Sequence, residues 1–200
     1  MSDRFSPIPI NRLFQIISSE YSERKEIFGI PEELFFVPKP DDKFRMQRYG
    51  KTLETPIGVA AGPHTQMAQN IIVAWLCGAR YMELKTVQTL DELNVSKPCI
   101  DMQDEGYNCE WSQELKIYES FDEYLKAWIL IHLLKHKFGW ASNKDIGVIF
   151  NMSVGYDLDG IKTSRMDRFI EELKDASRNE LFFKYKSILI DLLNSSDASK

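Results

Sequence analysis

Three apolar runs of the sequence end in residues that could bind and stabilise a ligand. The runs cover residues 56–62, 80–87 and 146–152, and the residues near their ends are Ala60, Ala61, Gly62, Lys85, Thr86 and Asn151. Small residues allow a flat ligand to approach the backbone closely. A lysine at the end of a buried strand is costly unless an anionic group meets it, and an asparagine offers both a donor and an acceptor. The combination suits a planar heterocycle that becomes anionic when it is reduced.

Each part of this pattern also has a structural interpretation. An Ala-Ala-Gly run commonly serves packing, a strand-end lysine can pair with a neighbouring carboxylate, and an asparagine often caps the next turn. Only the coincidence of the three ends makes ligand binding as good an explanation as structure. Both interpretations stay open at this point.

The spacing of apolar residues predicts the elements that would bring these ends together. Residues 56–62 and 80–87 are predicted strands, and residues 66–77 between them have helical spacing, with Thr65 as N-cap and Gly78 after the helix. This order is a βαβ unit of about thirty residues, whose right-handed crossover builds a parallel sheet. A third buried strand is predicted at 146–152. Parallel α/β folds bind ligands at the carboxyl ends of their strands, which is where these residues fall.

The sequence before the βαβ unit predicts a helix and a hairpin. The helix begins after Pro9 and ends at Gly29 and Pro31. A proline-containing loop follows, and the alternating residues 44–54 then predict a hairpin.

A long insert and three helices are predicted in the rest of the chain. Residues 90–118 look irregular and are long enough to form a functional lid or a subunit contact. A capping box, with Ser120 as N-cap and Glu123 at the third helical position, predicts a helix that runs to about Phe138. Two further helical patterns lie at residues 166–173 and 181–193.

The composition is that of a globular protein and excludes several classes of function. The chain has 200 residues, of which 28% are charged and 44% hydrophobic, and its net charge is −5. This balance argues against a nucleic-acid or anionic-membrane partner, and the apolar run 127–134 is too short to span a bilayer. Its 3 cysteines include no C-x-x-C pair, so the chain is expected to bind no iron–sulfur cluster or structural zinc ion and to be a reduced, cytoplasmic protein.

The segments that carry the candidate residues resemble the flavin barrels of dihydroorotate dehydrogenase and dihydropyrimidine dehydrogenase. The similar segments are PIGVAAG at 56–62, ELKTV at 83–87 and VIFNMS at 148–153. A closer similarity, over most of residues 7–175, is to the N-terminal part of the selenate reductase subunit family, which comprises large bacterial flavin and iron–sulfur oxidoreductases. Its motifs are IFGIP at 27–31, AGPHTQ at 61–66, KPCID at 97–101 and DEYLKAW at 122–128.

The resemblance implies an α/β fold of the (β/α)₈ TIM-barrel type, of which the chain is expected to form the first part. Residues 1–54 would form an N-terminal helical arm and a hairpin that closes the bottom of the barrel. Residues 55–200 would form a partial dihydroorotate-dehydrogenase-like barrel with a helical insert at about 90–138. A complete barrel needs about 250 residues, whereas the sequence predicts only three clear strands.

The resemblance also implies an FMN over the strand ends and a small substrate, such as a heterocycle. The backbone of Ala60, Ala61 and Gly62, at the first strand end, would contact the cofactor. Lys85 and Thr86, at the second strand end, would also bind it. Lys85 would lie near the N1–O2 edge of the flavin and stabilise its reduced form, and Asn151 would hydrogen-bond substrate or flavin. Lys85 and Asn151 are thus the expected catalytic residues.

The missing parts of the family pattern limit what the chain is expected to do alone. The phosphate site of such barrels follows strands seven and eight, and the segment with the acid/base residue is also absent. Without cluster motifs or a dinucleotide fingerprint, iron–sulfur clusters and FAD are expected only in longer family members. We therefore expect weak or no FMN binding, no activity by the chain alone, and association with the remainder of a larger oxidoreductase or with itself. The alternative is a non-catalytic interaction module that needs a partner chain.

Other candidate residues are better explained by structure. His132 and His136 have the spacing of a zinc-ligand pair, but residue 133 is Leu and the helix is mostly apolar, so no metal site is predicted. His64 is better explained by a turn than by a ligand contact. A solvated loop is slightly favoured over a substrate loop for the acidic stretch 101–110, in which Cys109 has no neighbour that would lower its pKa.

Overall fold

Short strands alternate with helices along the described part of the chain, which in this computed structural model comprises residues 6–91, 100–101, 107–108, 114–140, 146–155 and 157–197. The helices are α1 (Ile10–Arg24), α2 (Ala68–Leu76), α3 (Ile117–Lys137), α4 (Leu158–Ile161), α5 (Ser164–Lys174) and α6 (Glu180–Asp197). The strands are β1 (Glu26–Ile27), β2 (Ile30–Pro31), β3 (Met46–Arg48), β4 (Lys51–Leu53), β5 (Gly58–Val59), β6 (Tyr81–Glu83), β7 (Val87–Gln88), β8 (Ile100–Asp101), β9 (Tyr107–Asn108), β10 (Ile149–Asn151) and β11 (Val154–Gly155). Three 3₁₀ turns occupy Glu32–Leu34, Pro63–Gln66 and Ala176–Arg178.

Parallel strands form the sheet that carries the predicted site. Their order is β10–β6–β5, and Tyr81 lies opposite Gly58 on one side and Ile149 on the other. The helix α2 connects β5 to β6, which confirms the βαβ unit that the sequence predicts. Among the described residues this sheet stays open, as expected for part of an α/β barrel.

An extra residue interrupts the central strand just beyond β6. The strands β7 and β11 continue the parallel pairing of β6 and β10, with Val87 opposite Val154. The chain advances by four residues from Glu83 to Val87, but by three from Asn151 to Val154 on the opposite strand. The surplus residue lies within 84–86 and creates a β-bulge. The predicted strand 80–87 is therefore two strands separated by a bulge that contains Lys85.

One face of the sheet packs against the helices. Val59, Met82 and Phe150 lie opposite one another in register, so their side chains share a face. Met82 is fully buried there, and the ring of Phe150 contacts Trp128 of α3 with 5.1 Å between centroids. The helix α3, which lies within the predicted insert, thus belongs to the helical layer behind the sheet.

The first helix ends earlier than the sequence predicts. It stops at Arg24, after which Lys25 adopts a left-handed conformation with φ of 55°. The strands β1 and β2 then pair in an antiparallel hairpin, whose turn residues Phe28 and Gly29 have φ of 50° and 75°. The expected helix end at Gly29 was wrong because this glycine serves a β-turn.

The predicted hairpin is present as β3 and β4. Its turn residues, Tyr49 and Gly50, both have positive φ, of 50° and 70°, as a type I′ turn requires. The Tyr49 hydroxyl forms a hydrogen bond with the hydroxyl of Tyr81, the first residue of β6. The hairpin tip therefore lies at the amino end of the central strand, which is the bottom of a barrel.

Two predicted N-caps are wrong. The helix α3 begins at Ile117, and the carboxylate of Glu119 accepts a hydrogen bond of 2.8 Å from the backbone N–H of Lys116. Ser120 is consequently buried inside the helix, because an acidic residue one position earlier already caps the start. The hydroxyl of Thr65 bonds to Gly62 and does not cap α2.

The last two predicted helices are confirmed as α5 and α6. The hydroxyl of Thr163 caps α5 by accepting a hydrogen bond from the N–H of Met166. The helix α6 buries Tyr185 and Leu189, and it packs against α1 and α3. No helix in the described ranges combines the length and the apolar character needed to cross a bilayer.

Candidate functional site

The carboxyl ends of β5, β6 and β10 lie side by side at one edge of the sheet. Adjacent parallel strands align their ends, so the segments that follow them share this edge, which we call the carboxyl edge. The edge carries every residue predicted from the sequence: Ala60, Ala61 and Gly62 after β5, Lys85 and Thr86 in the bulge, and Asn151 at the end of β10. Their binding of a ligand stays a prediction.

The turn after β5 is held by hydrogen bonds. Gly62 donates its N–H to the hydroxyl of Thr65 at 3.1 Å, and this hydroxyl donates to the carbonyl of Gly62 at 2.9 Å. Gly62 is buried and Ala61 is half-buried, whereas Ala60 is exposed. The exposed backbone at Ala60 leaves room for a flat group beside the end of β5. His64 points to solvent from the same turn.

Lys85 is a buried lysine at the centre of the carboxyl edge. Its residue is only 5% exposed, and its backbone carbonyl accepts a hydrogen bond of 3.0 Å from the hydroxyl of the buried Tyr124 in α3. Burial strongly raises the pKa of Tyr124, so this phenol stays a donor. The bulge and this bond fix the backbone that carries the ammonium group, and bulges commonly re-aim side chains beside active sites.

A pair of hydroxyl groups closes the bulge on the β10 side. The hydroxyl oxygens of Thr86 and Ser153 are 2.7 Å apart, and the N–H of Val87 donates to the Ser153 carbonyl at 3.0 Å. Sequence reasoning did not select Ser153 as a site residue. The signal that could have identified it is its position two residues after Asn151, on the same face of an extended chain.

Glu83 is a further polar residue that sequence reasoning did not select. It lies opposite Asn151 in the parallel register, so the two side chains share one face of the sheet. This face is opposite to the one that Met82 and Phe150 present to the helices, and both polar residues are half-buried on it. The alternation of β6 could have revealed Glu83, because Met82 and Leu84 on either side of it are buried.

Buried charges at the amino end of the sheet compensate one another. Glu54 is 2.6 Å from Nε of Arg80 and 2.5 Å from Nζ of Lys135, and Lys135 also donates to the carbonyl of Ile146 at 2.5 Å. Burial lowers the pKa of Arg80, an effect that Glu54 opposes. Residues at this end of a barrel usually stabilise the fold, and the cluster fits that role.

A second buried charge cluster joins α2, α3 and the N-terminal segment. Glu123 forms an ion pair with Lys126 and accepts a hydrogen bond of 2.7 Å from the N–H of Ala68 at the start of α2. Lys126 also donates to the carbonyl of Ile8 at 2.9 Å. Burial raises the pKa of Glu123, although Lys126 and the N–H of Ala68 oppose the shift. Glu123 thus fixes the helix that follows the turn after β5.

The histidines and cysteines do not converge in the described structure. His132 packs edge-on against Trp128, with 5.0 Å between ring centroids, and both His132 and His136 are exposed. No group of three or more His, Cys, Asp or Glu side chains that could hold a metal ion occurs within the described ranges. Cys77 is an exposed free thiol, and Cys109 with the remainder of the acidic stretch falls outside the described residues, apart from the backbone of β8 and β9.

Comparison with known protein families identifies the group to which this sheet belongs. The family described as the N-terminal TIM-barrel domain of oxidoreductase YgfK matches residues 28–200. The chain belongs to this family. The YgfK N-terminal domain family confirms the predicted TIM-barrel type of α/β fold, of which the open sheet β10–β6–β5 is a part.

Two much longer proteins are similar to this chain over nearly its whole length. Two Escherichia coli proteins, from strain K12 and from O157:H7, bear the name "Putative oxidoreductase YgfK" and are 48% identical over 193 residues. The alignment covers 96% of this chain and 18% of each relative, so the chain spans about a fifth of their length. No solved structure matches the chain.

The comparisons support the predicted relationship to an oxidoreductase. They indicate the N-terminal domain of an oxidoreductase of the YgfK type. The names of the family and of the relatives contain no reference to selenate or to a flavin, so both remain hypotheses about this chain.

Proposed function

We propose that the chain supplies one wall of an FMN site in a larger oxidoreductase. The observation that carries the proposal is the alignment of three strand ends at one carboxyl edge, with a bulge at the lysine. The family to which the chain belongs is a TIM-barrel oxidoreductase family, and TIM-barrel enzymes place their active sites at this edge. The flavin itself is inferred from the resemblance of the strand-end segments to flavin barrels.

The residues at the edge fit a planar, hydrogen-bonding cofactor. The two alanines present backbone without bulky side chains, which a flat ring can approach, and the buried Gly62 holds the turn behind them. Lys85 places a cation at the carboxyl edge, where it could stabilise a ring that gains negative charge. Asn151 offers a donor and an acceptor from the neighbouring strand.

The roles of these side chains follow from their chemistry. A bound FMN would supply electron transfer to or from a small substrate. The ammonium group of Lys85 would stabilise negative charge that develops on the ring, and a cation fixed in a buried site is more effective than one in water. Thr86 and Ser153 would hold the bulge, and Asn151 would orient substrate or ring by hydrogen bonding.

The substrate and the other partners are proposed on chemical grounds. A small heterocycle matches the planar site, and the remainder of a longer polypeptide would supply the phosphate contacts and the acid/base residue. Iron–sulfur clusters and FAD, if the full-length relatives carry them, would bind to those other parts. A second copy of the chain is the alternative partner.

A non-catalytic interaction module is the second candidate, and one observation favours it. The strand β10 lies at the edge of the described sheet, next to a cavity of about 450 Å³ with a largely apolar lining. Lining residues include Trp128, Ile149, Phe150, Met152 and Phe182. A strand edge without a neighbour among the described strands, beside apolar residues, is a surface to which another chain can add.

Titration of FMN into the 200-residue chain tests the flavin proposal against the interaction module. Quenching of flavin fluorescence should show weak, saturable binding that Lys85→Met reduces at least about tenfold, as expected for the loss of a charge-assisted hydrogen bond. Lys174→Met is the matched control, because this lysine is exposed and forms an ion pair with Glu171 on the surface of α5. Binding that ignores Lys85 would contradict the proposed site.

A further inference from the structure

A half-buried carboxylate lies beside the turn that follows β5. Gln66, the last residue of the Pro63–Gln66 turn, is 2% exposed, and its side-chain N–H donates to a carboxylate oxygen of Glu114 at 2.5 Å. The preceding residue, Thr65, is bonded to Gly62, so the turn that carries Gln66 is rigid. Because the turn leaves β5 at its carboxyl end, Glu114 lies on the carboxyl edge of the sheet.

The second oxygen of this carboxylate has no donor. Glu114 Oε1 is buried, and no residue in the described part of the chain forms a hydrogen bond with it. Gln69 Oε1, three residues after Gln66, is another buried acceptor that lacks a donor in the same ranges. Burying an acceptor without a donor is costly, and more so for a charged group.

The buried carboxylates contrast with Glu114. Both oxygens of Glu54 are paired, with Arg80 and with Lys135. Glu123 forms an ion pair with Lys126 and accepts a hydrogen bond from the N–H of Ala68, although its Oε1, like that of Glu114, accepts no hydrogen bond. Glu114 forms no ion pair with the described residues, so its buried oxygen is uncompensated at the edge where ligands of this fold bind.

We propose that Glu114 is a substrate-binding residue whose free oxygen accepts a hydrogen bond from an N–H group of the substrate. An ionised carboxylate only accepts hydrogen bonds, so its complement must carry a donor. A neutral lactam or urea nitrogen and a cationic amidine share this chemistry. The inference deepens the proposed function, on which it rests, by naming the group that the substrate presents, and Gln66 is the residue that positions Glu114.

Binding of two small probes to the 200-residue chain tests this assignment. Uracil presents neutral N–H donors and benzamidine presents cationic ones, and isothermal titration calorimetry measures the affinity of each. At least one probe should bind, and Glu114→Ala should weaken it by about ten- to a hundredfold, as expected for a hydrogen bond to a charged group. The shape-conserving Glu114→Gln should lose most of its affinity for benzamidine. Glu33→Gln, at an exposed carboxylate of the Glu32–Leu34 turn, is the control and should bind like wild type.

The outcomes separate this inference from the flavin proposal. Failure of both probes to bind the wild-type chain, or equal affinity of wild type and the folded Glu114→Ala variant, overturns the role of Glu114. Thermal unfolding followed by circular dichroism verifies that the variants are folded. FMN binding that requires Lys85, together with probe binding that does not require Glu114, would refute the role of Glu114 and leave the flavin proposal standing. Glu114-dependent probe binding alongside FMN binding that Lys85→Met does not weaken would refute the flavin proposal and retain the substrate contact.

Discussion

Buried charges mark both ends of the sheet, with different consequences. At the amino end, Glu54 compensates Arg80 and Lys135 within hydrogen-bond distance, so that cluster is closed on itself. At the carboxyl edge, Lys85 is buried in a bulge and Glu114 keeps an oxygen without a donor among the described residues. The first arrangement stabilises the fold, and the unpartnered oxygen of Glu114 is suited to a ligand.

Loss of the Glu54 carboxylate should be strongly destabilising. Glu54→Gln keeps the shape of the side chain but leaves two buried cations without a counter-charge, which is expected to cost about 3–5 kcal/mol of unfolding free energy. Urea unfolding at neutral pH measures this cost. Lys174→Gln breaks an exposed pair with Glu171 and should cause no measurable change. A loss below about 1 kcal/mol for Glu54→Gln would contradict the closed cluster.

His132 should make the fold less stable in mild acid. His132 is exposed at the surface, but its partial burial against Trp128, and secondarily Lys135, lowers its pKa in the folded chain. In the unfolded chain its pKa is about 6.5, so the unfolded state binds more protons as the pH falls through that value, and stability decreases. Urea unfolding at about pH 7 and about pH 5.5 should show a smaller decrease for His132→Gln than for wild type. An unchanged decrease would exclude this contribution.

At the scale of elements, the start of α3 shows what a sequence pattern can and cannot decide. Two overlapping signals were present, Ser120 followed by Glu123 and Lys116 followed by Glu119. The first matches the usual capping box, yet the helix uses the second. Glu123 does not cap α3, because it accepts a hydrogen bond from the N–H of Ala68 in α2. Residue spacing alone cannot reveal such a tertiary contact.

Substitutions at adjacent residues should distinguish the two helix starts. Glu119→Ala removes the acceptor of the Lys116 N–H and should cost about 1 kcal/mol. Ser120→Ala should change stability by less than about 0.5 kcal/mol, because alanine favours a helix interior. Urea unfolding of both variants provides the comparison, and a larger loss for Ser120→Ala would restore the start predicted from the sequence.

Gly147, which precedes β10, has both a backbone conformation that favours glycine and a side chain, that of Glu54, close to where a Cβ would lie. Gly147 has φ of 75°, and an added Cβ would lie 2.5 Å from the carboxylate carbon of Glu54. Gly139 has a similar φ of 68° but no atom within 4 Å of an added Cβ. Gly139→Ala should therefore cost only the backbone strain of about 1–2 kcal/mol, and Gly147→Ala should cost distinctly more. Equal losses in thermal unfolding would show that the contact with Glu54 yields.

At the scale of the whole molecule, the sequence predicts which strands are neighbours in the sheet better than it predicts the details of their pairing. Apolar runs and the βαβ length correctly predicted three adjacent parallel strands, because burial and chain length constrain them. The bulge at Lys85, the Thr86–Ser153 bond and the Gln66–Glu114 pair were not predictable. Each depends on register or on a contact between distant segments, which a single sequence does not encode locally.

The open edge of the sheet should make the isolated chain self-associate. The strand β10 is the last in the described sheet, and the largely apolar cavity lies against it. Unpaired strand edges are templates for pairing with another chain, so dimers or larger species are expected at micromolar concentration. Sedimentation velocity over a range of concentrations measures this association. A monomer that unfolds cooperatively and shows no concentration dependence would count against an open edge.

If the three strand ends form a single flavin-binding wall, FMN should contact all three of them, and mapping of FMN on the folded chain tests this most directly. Two-dimensional ¹H–¹⁵N NMR of the 200-residue chain, recorded during titration with FMN, reports which backbone amides sense the ligand. The shifted amides should cluster at Ala60, Ala61, Gly62, Thr86 and Asn151, and Lys85→Met should suppress these shifts. Shifts confined to other surfaces, or shifts at these amides that Lys85→Met leaves unchanged, would contradict a shared flavin-binding wall.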